Sequence, residues 1–229
     1  MNFSLVLPTY LYNEKRQQDA LRSFASLNKS DFGNHQVSLV IIEKKSQLST
    51  YLPNGSKFAN VHIRIPVSPI DGVNQALAFG SELSIELWAT DYIVWIFDDM
   101  VYNPHWLLEL EKLIIRHPKA KAYSVYRSAH EFHHAPLRFE GEDVSVRSLD
   151  GMSMCFTPTE WKEWNVNWAS DDFTAPTGGN TIDLLHAHTR PGERWCTRKS
   201  WVQNIGNIGI HTTLSTPAYG QEFVGEDLL

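Results

Sequence analysis

The chain has 229 residues, 42% apolar and 20% charged, which excludes wholesale disorder and suits one sizeable core. Its aromatic payload is large, with eight Trp and eleven Phe. A formal charge of −6 and a pI near 5.9 exclude a global basic field for nucleic acid and leave room only for a local basic groove.

Along the chain, Phe3-Ser4-Leu5-Val6-Leu7 reads as a strand closed by Pro8-Thr9. A helix follows from Lys15 to Asn28, with Leu21, Phe24 and Leu27 at helical spacing on one face. Val37 to Ile42 is too short for a helix and suits a buried parallel strand. Val61 to Ile65 predicts another strand. Ile70-Asp71-Gly72 introduces a helix from Val73 to Trp88, with Val73, Ala76, Leu77, Gly80, Leu83 and Leu87 turned inward. Tyr92 to Phe97 is the strongest strand signal. Pro104 then opens a helix over His105 to Arg116, where its missing N–H costs nothing, with Leu107, Leu110, Leu113 and Ile114 apolar. Beyond it the pattern is less regular. Short strands are expected near Ala122 to Tyr126 and Ser153 to Phe156, then a loop from Trp164 to Gly179 and a short helix near Ile182 to His188. Alternating strands and helices predict an α/β domain with a mostly parallel central sheet flanked by helices.

Cys155 and Cys196 are too few for the disulfide framework of a small secreted domain, so a reduced, cytosolic setting is the simpler reading. Met1 to Tyr10 has no basic n-region, and Pro8 interrupts its apolar run, unlike a signal peptide. The purely apolar run Tyr92 to Phe97 is far shorter than the roughly 20 residues that span a bilayer. A soluble, cytoplasmic protein is expected, of a bacterium or of a viral host's cytosol.

In open α/β sheets, ligands sit beyond the carboxyl ends of the strands. That rule brings Pro8-Thr9-Tyr10, Glu43-Lys44-Lys45-Ser46, Ile70-Asp71-Gly72 and Asp98-Asp99 to one crevice. Two adjacent carboxylates at the mouth of a buried strand repel unless something positive lies beside them. Mg²⁺ or Mn²⁺ bridging substrate phosphates is one solution. The other is that one Asp caps the next helix while its neighbour is solvated.

Several of these segments, in order, resemble the nucleotide-sugar glycosyltransferases of the GT-A fold, and within them the family-two enzymes. Leu5-Val6-Leu7-Pro8-Thr9-Tyr10 is similar to the family's opening strand and turn beside the nucleotide. Leu39 to Glu43 resembles the strand whose last acid meets the base, and Gly72-Val73-Asn74-Gln75-Ala76 the helix start beneath the sugar diphosphate. Trp95 to Leu107, with Asp98-Asp99 and Pro104-His105-Trp106-Leu107, parallels the acid-motif strand and its following helix. Leu149 to Met154 resembles the acceptor-side Gly segment, and Trp201 to Gly206 the late strand.

The resemblance implies one domain over 1–229, with 1–103 binding the nucleotide-sugar donor and 104–229 the acceptor. Pro8, Thr9, Tyr10 and Glu43 would hold the nucleoside, and Asp71 and Asn74 the diphosphate side. Asp99, with Asp98, would hold Mn²⁺ or Mg²⁺. The chain departs from the family where Phe97 replaces the first acid of the motif, Glu43 replaces Asp, and Asn204 stands where a metal-facing His is often found. His211 could supply that imidazole.

An inverting transfer needs a carboxylate to take the acceptor hydroxyl's proton. Asp183 comes first because a helix start is expected beside it, although an acid there also suits helix electrostatics alone. Asp172 and then Asp171 follow. His186 and His188, two residues apart, point to different sides of a helix. His130, His133 and His134 read as a solvated loop or a mobile part of the site. Trp161, Trp164 and Trp168 form either a stacking platform or one buried helix face. Arg190, Arg194, Arg198 and Lys199 form a basic patch that meets an anion or simply meets solvent. The expected function is metal-dependent, inverting sugar transfer to an acceptor hydroxyl, a saccharide ahead of protein, lipid or a modified nucleic-acid base. The alternatives are nucleotidyl transfer to a sugar phosphate, against which the glycine-free stretch Leu11 to Arg16 weighs, and a non-catalytic sugar- or nucleotide-binding module.

Overall fold

The first strand, β1 (Asn2–Thr9), is buried along almost its whole length, and its side chains alternate between two apolar layers. The computed structural model describes residues 1–11, 13–43, 57–64, 73–127, 136–149, 153–165, 189–190, 192–206 and 222–225. Helix α1 (Glu14–Asn28) follows β1 and leads to β2 (Gln36–Glu43) and β3 (Asn60–Arg64). Helix α2 (Val73–Leu87) returns the chain to β4 (Tyr92–Trp95) on the other flank of β1. A short β5 (Met100–Tyr102) precedes α3 (Trp106–Arg116) and β6 (Ala122–Ser124). Then come β7 (Pro136–Glu140), β8 (Asp143–Val146), β9 (Met154–Phe156), α4 (Pro158–Trp164), β10 (Arg194–Thr197) and β11 (Val202–Asn204).

Among the described residues, nine strands form one sheet in the order β3-β2-β1-β4-β9-β6-β10-β8-β7, while β5 and β11 pair separately. The β3, β2, β1 and β4 strands run parallel, and β9 is inserted antiparallel beside β4. Phe3, Leu5 and Leu7 pack with Phe24 and Leu27 of α1 and Leu107 and Leu110 of α3. Val6, Ile93 and Trp95 pack on the opposite face with Leu77 of α2 and Trp161 of α4. Gly80 lets α2 press onto the sheet, since a Cβ there would sit 2.4 Å from Val6 Cγ1.

Several expectations need correction. The first strand continues through Pro8 to Thr9 instead of turning. Pro8 is tolerated because β4 pairs with β1 only as far as Val6, so at Pro8 the missing N–H leaves no ladder bond unmade on that side. Leu21, Val73 and Leu87 are exposed, so α1 and α2 bury narrower faces, through Ala20, Phe24 and Leu27 and through Ala76, Leu77 and Gly80. Trp161 and Trp164 lie in the core against Phe156, at 5.6 and 5.0 Å between ring centres, and offer no open platform. Arg194 of the supposed basic patch is buried and donates to Thr189 Oγ1 at 2.5 Å, as a strut between segments. Both cysteines are buried and unpaired with each other.

Candidate active site

Chain connections diverge between β1 and β4. Helix α1 carries the chain away to β2, and α2 brings it back to β4 on the other side. A crevice opens beyond strand ends at such a point. Thr9 and Glu43 are register partners at the ends of β1 and β2, and both are buried. Asn74 and Gln75 are buried in the first turn of α2.

The β4–β5 turn that carries the acids is held on several sides. Ile96 still donates to Val6 O at 2.9 Å, after which the backbone leaves the sheet. The Tyr102 hydroxyl accepts from Phe97 N and donates to Phe97 O, each at 3.1 Å. Burial pushes that hydroxyl well above the ordinary tyrosine range, so it remains a donor. Ser23 of α1 also donates to Phe97 O at 3.1 Å, and Ser26 Oγ accepts from Tyr102 N at 3.0 Å. Just past β11, Ile205 N donates to Asp99 O at 2.8 Å. Gly206 lies so close that a Cβ would sit 2.3 Å from Asp99 Oδ2.

Asp98 points into this frame with 1% of its surface exposed, and Thr9 Oγ1 donates to its Oδ2 at 2.6 Å. Arg16, in the first turn of α1, joins the two acids. Its Nη2 donates to Asp98 Oδ1 and its Nη1 to Asp99 Oδ2, the latter at 2.6 Å. Asn13 caps the helix by accepting from Arg16 N at 2.9 Å, which fixes where that side chain starts. Burial pushes the Asp98 carboxyl up to about 6, against the pull of Arg16, and the neighbouring Asp99 charge adds to the rise. Among the described residues, one guanidinium thus serves two carboxylates, leaving one negative charge over.

Asp98 and Asp99 lie in the turn that follows β4; Thr9 bonds to Asp98, and Glu43 is the register partner of Thr9. Pro8 is buried inside β1, and Tyr10 is half-buried just beyond its end. Asn204 turns its carboxamide oxygen to Gly206 N at 2.8 Å, on the strand beside Met100. Asp71, Asp171, Asp172, Asp183 and His211 lie outside the described residues, as do His130, His133, His134, His186, His188 and Trp168.

Sequence reasoning missed Arg16. The repulsion between Asp98 and Asp99 demanded a positive partner, and Arg16 opens the helix that starts beside the crevice; that was the available signal. A magnesium-like ion held largely by substrate phosphates needs only one or two carboxylates. The cluster's surplus negative charge and hard oxygen donors fit such an ion, on condition that it displaces Arg16 from at least one of them. Among the described residues, no group of three or more His, Cys, Asp or Glu side chains converges on a metal position.

The parallel strands, the antiparallel β9 beside β4 and the acids at their end define a GT-A-like fold, as the motifs implied. No protein-family model matches the sequence, and no curated protein does. Solved structures of S. aureus TarS, a glycosyltransferase, are similar in fold at 13% identity. TarS 1–349 superposes with a TM-score of 0.64, covering 90% of this chain and 61% of that one. The complex of TarS 1–349 with UDP gives 0.65, with 88% and 60% covered. The complex with UDP-GlcNAc gives 0.67, with 92% and 60% covered. This chain spans about three fifths of the length of those TarS 1–349 structures. No helix among the described residues is long and apolar enough to cross a membrane.

Proposed function

We propose that this chain is a glycosyltransferase that moves a sugar from a nucleoside-diphosphate donor to an acceptor hydroxyl. The observation that carries the reading is the pair of a buried Asp98 and a partly exposed Asp99 sharing one arginine at the divergence of β1 and β4, with Thr9 and Glu43 ending the adjoining strands. The likeness of fold to TarS, solved with UDP and with UDP-GlcNAc, supports a uridine-diphosphate donor.

In this reading Glu43 accepts from a uracil-like base, and Pro8, Thr9 and Tyr10 line the nucleoside. Asp71 and Asn74 would meet the diphosphate side of the donor. Asp99 and Asp98, with His211, would hold Mn²⁺ or Mg²⁺, which would supply positive charge to offset that on a leaving diphosphate. The transfer is inverting. The acceptor oxygen forms its bond to the anomeric carbon as the bond from that carbon to the phosphate oxygen breaks. The electron pair leaves with the diphosphate, and the proton passes to a carboxylate, with Asp183 ahead of Asp172 and Asp171. The acceptor is a saccharide ahead of protein, lipid or a modified base.

Thermal melts with a panel of nucleotide sugars, with and without Mn²⁺, test the reading. A ligand that binds only the native state stabilises it by about 2.7 kcal/mol at a hundred times its dissociation constant. One UDP-sugar is expected to raise the melting temperature, and Asp99→Ala to abolish transfer while the fold persists. Melts unmoved by every nucleotide sugar would remove the reading. Release of pyrophosphate in place of a nucleoside diphosphate would replace it with nucleotidyl transfer.

A further inference from the structure

The cation at the acid pair is a side chain on a helix, not a fixed part of the sheet. Arg16 is 14% exposed and spans from Asp98 Oδ1 to Asp99 Oδ2. With Thr9 on Oδ2, both oxygens of the buried Asp98 are engaged. A divalent ion at this pair would need oxygens that the guanidinium now takes, and the two cations repel each other at such a distance.

We propose that Arg16 and the divalent ion compete for Asp98 and Asp99, so that the bare site excludes metal and the ion enters only as a diphosphate draws Arg16 away. This inference rests on the donor reading above and adds an order of binding to it. The guanidinium fork matches phosphate oxygens as well as carboxylate oxygens, so an arriving diphosphate offers Arg16 an equivalent partner. Asp19 gives the displaced side chain a second neighbour. It is buried one helical turn beyond Arg16, with Oδ1 taken by Lys15 at 2.5 Å, and its Oδ2 has no hydrogen-bond partner among the described residues. The exchange keeps a cation at the acids throughout: a guanidinium of charge +1 leaves as an ion of charge +2 arrives, so the buried Asp98 never faces Asp99 without a positive partner.

The test is Mn²⁺ binding by the donor-free protein, followed through the electron paramagnetic resonance signal of free Mn²⁺. Wild type is expected to bind weakly, and Arg16→Gln at least tenfold more tightly. Adding Asp99→Ala to that variant should erase the gain. In Arg16→Ala, low-millimolar guanidinium should weaken Mn²⁺ binding again, which a merely structural role would not produce. Should the neutral variants fail to fold, Arg16→Lys keeps a charge but loses the fork, and it should still bind several-fold more tightly than wild type. Mn²⁺ affinity equal to wild type in every folded variant overturns the competition. No nucleotide sugar enters this assay. A donor panel that fails would therefore remove the glycosyl reading and leave the Mn²⁺ result standing, and the reverse also holds.

Discussion

Among the described residues, the buried Asp98 and the buried Asp143 each belong to an acidic site gripped by one arginine, with different charge balance. At the start of β8, Asp143 accepts from Arg116 Nε and Nη2 at 2.6 and 2.7 Å. His117 Nε2 lies 2.9 Å from the same carboxylate, and its ring stacks on Trp195 with 3.6 Å between ring centres. There one carboxylate has a guanidinium to itself, and the cluster ties the end of α3 to the sheet. At the divergence of β1 and β4, Arg16 is divided between two carboxylates. A balanced cluster fastens elements together. A cluster short of positive charge, placed where the chain opens a crevice, is prepared for a ligand.

The largest effect that can break this contrast is pH. The Asp98 carboxyl is raised to about 6 from an ordinary 3.8, chiefly by burial, so the folded protein holds that proton more tightly than the unfolded chain. Its contribution to stability is complete below the ordinary value and is lost as pH rises through about 6, a loss of about 3 kcal/mol. Asp98→Asn leaves Arg16 with a single carboxylate, the balance Arg116 already has. Urea melts should show the stability difference between wild type and this variant moving by about 3 kcal/mol in the variant's favour between pH 3.8 and pH 7. A difference that stays level across that range would mean the two clusters are alike.

Next in size is Asp143→Asn. It removes the charge from three short contacts, but Arg116 is 42% exposed and solvent takes over part of its solvation. A loss of about 2 kcal/mol is expected in the same melts, with affinity for the nucleotide sugar unchanged. Weakened donor affinity at constant stability would give the Asp143 cluster a share in the site.

How far each cluster could be read from sequence follows from what holds it. Val37 to Ile42 and Tyr92 to Phe97 declare themselves as strands because, Ser38 apart, every position is apolar, although the second strand leaves the sheet after Trp95. The acids after Phe97 are legible for the same reason, as a charge directly following such a run. The β7, β8 and β10 strands were not. Pro136–Glu140 is exposed throughout, and Asp143–Val146 is buried although it holds Asp143 and Ser145, so pairing partners decide there and periodicity does not. α4 was legible only as one of two readings of Trp161 and Trp164, the buried helix face, although Thr157 and Glu160 form a capping box around Pro158 that marks its start. Arg16 could not be placed from its neighbours, because its partners lie 82 and 83 residues away.

The smallest effect sharpens the contrast most, because it leaves every charge in place. Thr9→Val keeps the shape of the side chain and deletes only the hydrogen bond to Asp98 Oδ2. That bond favours the ionised carboxyl, so without it the Asp98 midpoint should rise further above its present value. The loss of stability should be about 1 kcal/mol near neutral pH, where Asp98 is charged, and should shrink as acid protonates it. The sign follows because the deleted donor stabilises the anion, so its removal matters only while the anion is there. Arg16 is then the one named partner left on the Asp98 side chain, and wild-type and Thr9→Val melts compared across pH would measure how much of that carboxylate the guanidinium holds by itself. If the cost of Thr9→Val were the same in acid as at neutrality, Thr9 would serve the packing of β1 and not the charge on Asp98.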